Sequence, residues 1–106
     1  MSSKVTILVP CRNEEKNIAI CLNSIINQDY PKNLMEVLII DGMSTDRTRF
    51  IVKNYIDKYN FIKLLDNPKK IVPSALNLGI KAATGDIIIR MDVHTKYAED
   101  YVIQCI

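Results

Sequence analysis

Four short apolar runs alternate with stretches in which apolar residues recur at helical spacing. Lys4–Val9 is β-branched and apolar and meets Pro10, which predicts a buried strand stopping there. From Glu15 to about Asn27, residues Ile18, Cys21, Leu22, Ile25 and Ile26 fall on one face of a helix. Asp29-Tyr30-Pro31 breaks it, and Val37–Ile40 reads as a second strand ending at Asp41-Gly42. Ser44 or Thr45 then offers an N-cap, with Asp46 in the first turn of a helix carrying Ile51, Val52, Tyr55, Ile56 and Tyr59.

Phe61–Leu65 predicts a third strand, ending at Asp66, and the stretch to Val72 a loop. Pro73 suits the first position of a helix that runs to about Ala83, with Leu76, Ile80 and Ala83 on one face. After Thr84-Gly85, the segment Asp86–Met91 predicts a fourth strand ending at Asp92, and residues past Lys96 begin a last helix. The order β-α-β-α-β-α-β-α, with strands nearly free of polar residues, predicts an α/β fold whose mostly parallel sheet is covered on both faces. Right-handed crossovers then bring every strand's carboxyl end to one edge.

The 106 residues suit a single domain spanning 1–106, and 48% hydrophobic with 25% charged residues is ordinary for a globular chain. A net charge of +2 gives no reason to expect a nucleic-acid partner. Cys11, Cys21 and Cys105 form neither a disulfide framework nor a zinc motif, which suits free thiols in a reducing compartment. The apolar run at the N-terminus is too short for a signal peptide, and no stretch approaches the ~20 apolar residues of a membrane span. The expectation is a cytoplasmic chain.

Ligands of open parallel sheets bind outside the strands' carboxyl ends. Three of those ends carry an aspartate: Asp41, Asp66 and Asp92. Aspartate is common in turns, so the convergence matters more than any one residue. Asp92-Val93-His94 places a carboxylate and an imidazole two residues apart, on one side of an extended strand end, where both could face a cation. There is no GxxxxGK[ST] and no GxGxxG, which argues against a P-loop hydrolase or an ordinary dinucleotide oxidoreductase. A diphosphate held without a glycine loop needs another neutraliser, and a divalent cation on acidic residues supplies one.

Five segments now stand in order: Val-Pro-Cys-Arg-Asn-Glu-Glu (9–15), Leu-Ile-Ile-Asp-Gly-Met-Ser-Thr-Asp-Arg-Thr (38–48), Ala-Leu-Asn-Leu-Gly-Ile (75–80), Ala-Thr-Gly-Asp (83–86) and Arg-Met-Asp-Val-His (90–94). Together they resemble the amino-terminal, donor-binding half of family 2 glycosyltransferases with the GT-A fold. The last segment is similar to enzymes of bacterial exopolysaccharide synthesis of the succinoglycan type. The resemblance covers essentially the whole chain. It implies that Pro10, Arg12 and Glu14 line a nucleotide pocket and that Asp41 accepts a hydrogen bond from the base, typically uracil. It further implies that Lys69, Lys70 and Asn77 lie near the nucleotide, and that Asp92 and His94 bind Mn²⁺ or Mg²⁺ on the diphosphate. The implied activity is inverting transfer from a nucleotide-sugar, such as a UDP-sugar, to a glycan or lipid-linked acceptor. The parent enzyme would work at the cytoplasmic face of a membrane. The general base would lie beyond Ile106, so the fragment alone is expected to be inactive and prone to self-association. Two positions depart from the family pattern: Gly42 stands where a second carboxylate is common, and His94 replaces the second acid of a DxD motif. Two rival readings are a phosphoacceptor receiver-like module centred on Asp41 and an interaction domain without ligand. The receiver reading lacks an acidic pair after the first strand, where Cys11-Arg12 stands.

Overall fold

A computed structural model describes residues 3–106. Strands β1 (Val5–Cys11), β2 (Met35–Asp41), β3 (Ile62–Asp66) and β4 (Ile87–Arg90) alternate with helices α1 (Ile18–Ile26), α2 (Thr48–Lys58), α3 (Val72–Ala82) and α4 (Tyr101–Cys105). All pairings are parallel, and the sheet order is β3-β2-β1-β4. This is the expected α/β architecture.

The strand order explains which face each helix takes. The chain steps outward from β1 to β2 to β3 and then returns past both to β4 on the far side of β1. Right-handed crossovers therefore put α1 and α2 on one face and α3 on the other. The packing agrees. Val5, Ile7, Val9, Val37, Ile39 and Ile62 form the large core with Ile18, Leu22, Ile25, Val52 and Val102 from the helices. The alternate residues Leu8, Leu38 and Ile40 meet Ala75 of α3. Each fully buried Val, Leu or Ile contributes about 1.5–3 kcal/mol, so the larger cluster carries most of the stability.

Three expectations shift. β1 passes through Pro10 and ends at Cys11. Leu8 faces β4, since its C=O accepts from Met91 N–H. Pro10, two residues on, turns its missing N–H toward the same side, where β4 has already ended at Arg90. Secondly, α2 begins at Thr48 and not after Ser44 or Thr45. Asp46 takes the capping work, its Oδ1 accepting from Thr48 N–H at 2.9 Å and Thr48 Oγ1 at 2.6 Å. Thirdly, Ile80 is 54% exposed, while Ala75 and Gly79 face the sheet. A Cβ on Gly79 would lie 2.7 Å from Ile40 Cδ1 and 2.8 Å from Leu8 Cδ2. Small residues let α3 approach closely, and a search for large apolar residues misses that face.

The amino edge of the sheet is closed by a polar clasp. Glu36, 4% exposed, accepts from Thr6 Oγ1 at 2.9 Å, from Thr84 N–H at 2.9 Å and from Lys63 Nζ at 3.2 Å. Thr6 Oγ1 in turn accepts from Gly85 N–H at 2.9 Å. No described helix is long and apolar enough to cross a membrane.

Candidate functional site

At the carboxyl edge, the loops after β1 and β2 are stitched together by short polar side chains. Asn13, left-handed at φ 52°, donates its N–H to Ser44 Oγ at 2.8 Å and accepts from Thr45 N–H at 2.8 Å. Glu14 N–H donates to Thr48 Oγ1 at 2.8 Å, and Arg12 Nε donates to Gly42 C=O at 2.9 Å. A Cβ on Gly42 would meet Arg12 Cδ at 3.2 Å and Lys70 Cα at 3.4 Å. Arg12 thus fills the space that a second carboxylate after Asp41 would need.

Asp41 is fully buried. Its carboxylate accepts from Ser44 N–H at 2.9 Å, from the Ser44 hydroxyl, and from Arg49 Nη1 at 2.9 Å. The same Nη1 lies 2.7 Å from Asp66 Oδ1, so one guanidinium joins the ends of β2 and β3. Hydrogen bonds to Asp41 and then Asp66 push the Arg49 pKa further up, fixing the charge of the bridge. The Cys11 thiol, 3.7 Å from Asp41, is also pushed up, by burial first and by Asp41 second, which keeps it protonated and unreactive.

A cavity of about 260 Å³ opens between the carboxyl ends of β1 and β4. This is the point where the strand order reverses, the place at which open α/β sheets bind their ligands. Pro10, Arg12, Glu14, Lys70, Asp92 and His94 line it. Asp41 lies outside the lining, and Lys69 and Asn77 are exposed elsewhere. The apolar floor comes from Ile71, Val72, Ala75 and Val93.

The geometry of Asp92 and His94 differs from an extended strand end, because β4 stops at Arg90 and the chain turns. Asp92 N–H donates to Tyr97 Oη at 2.7 Å, and Asp92 Oδ1 accepts from His94 N–H at 2.7 Å. The His94 ring swings to Glu14, with Nε2 2.7 Å from Oε2. Among the described residues, no group of three or more His, Cys, Asp or Glu side chains is placed to hold a metal ion. The exposed Asp92 carboxylate with His94 beside it still suits a cation that takes most of its ligands from a diphosphate and water, as Mg²⁺ commonly does.

Comparison with known proteins fits this geometry. The profile of Glycosyl transferase family 2 matches residues 6–106. The chain belongs to glycosyl transferase family 2. It is 43% identical over 100 residues to a dolichyl N-acetyl-alpha-D-glucosaminyl phosphate 3-beta-D-2,3-diacetamido-2,3-dideoxy-beta-D-glucuronosyltransferase of Methanococcus voltae, covering 92% of this chain and 31% of that protein. It is 35% identical over 102 residues to the succinoglycan biosynthesis protein ExoA of Rhizobium meliloti, covering 94% of this chain and 31% of that one. Among solved structures it matches the mannosyltransferase PcManGT from Pyrobaculum calidifontis, in complex with GDP-Man and Mn²⁺. That match has a TM-score of 0.89 and 30% identity, and covers 96% of this chain and 31% of the other. The chain thus spans less than a third of the length of these relatives. The fold is GT-A, as the motifs implied.

For a family 2 chain, four residues of the site escaped the sequence reading. Arg49 bridges Asp41 and Asp66. Thr48 anchors Glu14, and Arg90 lines the cavity. Asn67, 2% exposed, donates through Nδ2 to Ile71 C=O at 2.8 Å and leaves Oδ1 without a partner. Only Arg49 had a usable signal: carboxylates ending two strands that run side by side call for a counter-cation, and Arg49 is the basic residue in the first turn of the next helix.

Proposed function

We propose that this chain forms the donor site of a glycosyltransferase, holding a nucleoside diphosphate sugar in the cavity between β1 and β4. The observation that carries this reading is the cavity's position at the reversal of strand order, lined by Pro10, Arg12, Glu14, Lys70, Asp92 and His94 in a family 2 chain. The relative that binds GDP-Man with Mn²⁺ supports a nucleotide-sugar and a divalent cation here. Asp92, with His94 beside it, would hold that cation. When bound, the cation stabilises negative charge on the departing diphosphate. Pro10 and the apolar floor would seat the base and ribose, while Arg12 and Lys70 meet phosphate oxygens.

Asp41 acts in this reading by ordering the Ser44 turn and Arg49, and it reaches a base only if that wall opens. The reaction proposed is inverting transfer to a hydroxyl of a glycan or lipid-linked acceptor in the synthesis of a polysaccharide or surface glycan. The acceptor's general base lies outside these residues, so the chain alone binds donor without transferring sugar. Similarity to a succinoglycan protein supports the polysaccharide setting. The exposed Ile88 on the β4 edge supports self-association of the isolated chain.

A thermal-shift panel of UDP, GDP and dTDP, each with and without Mn²⁺, tests the reading. Stabilisation by at least one nucleotide, enhanced by Mn²⁺ and with that enhancement lost in Asp92→Ala, is the expected result. An unchanged midpoint with every nucleotide would favour an interaction domain without ligand.

A further inference from the structure

We propose that a second cavity, at the amino edge of the sheet, binds a small phosphate monoester, with its phosphate held between the ammonium groups of Lys4 and Lys32. This site stands at the opposite edge from the donor cavity and does not rest on it. The seven-residue strands β1 and β2 separate the two edges by about 20 Å.

The cavity, of about 400 Å³, opens where three neighbouring strands begin. Lys4 precedes β1, Lys32 sits on the 3₁₀ turn Lys32–Leu34 that leads into β2, and Lys63 is the second residue of β3. Each entry thus brings one lysine to the same hollow. None of the three lies in an α-helix, whereas Lys58 and Lys81 stand in the last turns of α2 and α3 and answer the helix dipoles there. Asn33 and Asn60 add exposed carboxamides whose N–H groups can donate, and Phe61 adds an apolar wall.

The one carboxylate among the lining residues is already engaged. Glu36 accepts from Thr6 and Thr84, and Lys63 at 3.2 Å matches its charge. The charges of Lys4 and Lys32 remain. Lys4 Nζ donates to Thr84 Oγ1, and Lys32 Nζ donates to the C=O groups of Gln28 and Tyr30. These neutral acceptors orient the ammonium groups without balancing them. Among the described residues no carboxylate reaches ion-pair distance of either, and Asp86 accepts from the Lys4 backbone N–H instead. Partial burial lowers the Lys32 pKa, as expected of a charge short of solvent, and Asp29 offsets the effect only in part.

An ammonium carries three donors, so both lysines keep donors for a ligand. A carboxylate ligand would bring a single charge. A phosphate monoester brings close to two, on three strong acceptor oxygens, and matches a pair of ammonium groups flanked by carboxamides. The cavity leaves room for the ester's organic part beside Phe61 and Met35. A nucleoside diphosphate chelated by Mg²⁺ turns its terminal oxygens to the metal and is not the ligand expected here.

Titration of the ¹⁵N-labelled chain with glucose 6-phosphate, with glucose, and with sodium chloride at matched ionic strength tests the proposal. Expected are saturable amide shifts at Lys4, Lys32–Met35 and Asn60–Lys63 with the phosphate ester alone. Affinity should fall about 10-fold in Lys4→Gln and in Lys32→Gln, the equivalent of losing one charge-assisted contact each. Lys58→Gln should leave it unchanged. Circular dichroism verifies folding; should Lys32→Gln unfold through its lost carbonyl contacts, Lys4→Gln decides alone. No saturable shift, shifts confined to Arg12–Glu14 at the donor edge, shifts that chloride reproduces, or an affinity in Lys4→Gln equal to that of the wild type would overturn the site. An equal loss in Lys58→Gln would also overturn it, by showing attraction to the surface charge at large. None of these outcomes bears on nucleotide binding between β1 and β4.

Discussion

Replacing Arg49 with Met keeps the length and helix propensity of the side chain and removes the charge that joins β2 to β3. Asp41 is fully buried, while the Arg49 and Asp66 side chains are 28% and 56% exposed. Breaking a fully buried ion pair from one side costs about 3–5 kcal/mol, because the remaining charge is left desolvated. Arg49 is partly open to water, and Ser44 still donates to Asp41 twice. The expected cost is therefore about 2 kcal/mol, or roughly 8–10 °C in Tm for a domain of this size. Urea unfolding followed by circular dichroism measures it. Asp66→Asn removes only the exposed partner and should cost less than about 0.5 kcal/mol. Asp41→Asn added to Arg49→Met removes the stranded charge, so the double variant should be at least about 1 kcal/mol more stable than the sum of the singles predicts. A loss below about 0.5 kcal/mol for Arg49→Met, or strict additivity with Asp41→Asn, would refute the account of the bridge.

Other changes test other parts of the structure. Gly85→Ala should destabilise by about 2–3 kcal/mol in the same assay, since its Cβ would lie 2.7 Å from Thr6 N and 3.0 Å from Lys4 O, backbone atoms that cannot swing away; a neutral result would mean the amino edge is looser than described. Burial alone would raise the Glu36 pKa, but hydrogen bonds from Thr84, Thr6 and Lys63 outweigh it and hold the group at about 2, below the ordinary 4.5. A lowered carboxyl pKa stabilises the fold above the ordinary value and loses that contribution as pH falls from about 4.5 to about 2, an effect of up to ~3 kcal/mol. Glu36→Gln should flatten the stability curve across that window, and an acid limb as steep as wild type would exclude Glu36 as its source. Asp92→Asn should reduce the Mn²⁺-dependent part of nucleotide affinity about 10-fold or more while leaving Tm within about 2 °C, because Asp92 is exposed; a metal response identical to wild type would remove it from the cation site.

Much of the fold can be read from periodicity, because strands buried on both faces appear as continuous apolar runs, and β2 is buried at all seven positions. The packing of α3 cannot, since it is built on Ala75 and Gly79, whose smallness leaves no hydrophobic signature. Arg12, Glu14, Asp92 and His94 follow β1 and β4 closely and line one cavity, joined by Lys70 from the loop after β3. The rest of the site depends on where side chains turn. Asp41 is drawn inward by Ser44 and Arg49, His94 is drawn to Glu14, and Asn77 is exposed on α3 outside the cavity lining. The His94 choice comes from a partner 80 residues away in the chain, and the Asp41 choice from the path of the turn that carries Ser44 and Arg49, so residue type and spacing alone could not decide them.

The most direct test of the donor site is a map of backbone amide shifts in the ¹⁵N-labelled chain as UDP or GDP is added with Mg²⁺. The account predicts saturable shifts at Arg12–Glu14, Lys70–Ala75 and Asp92–His94, with the amino edge around Glu36 and Lys63 unmoved. Shifts centred on that amino edge, or none at millimolar nucleotide, would contradict it.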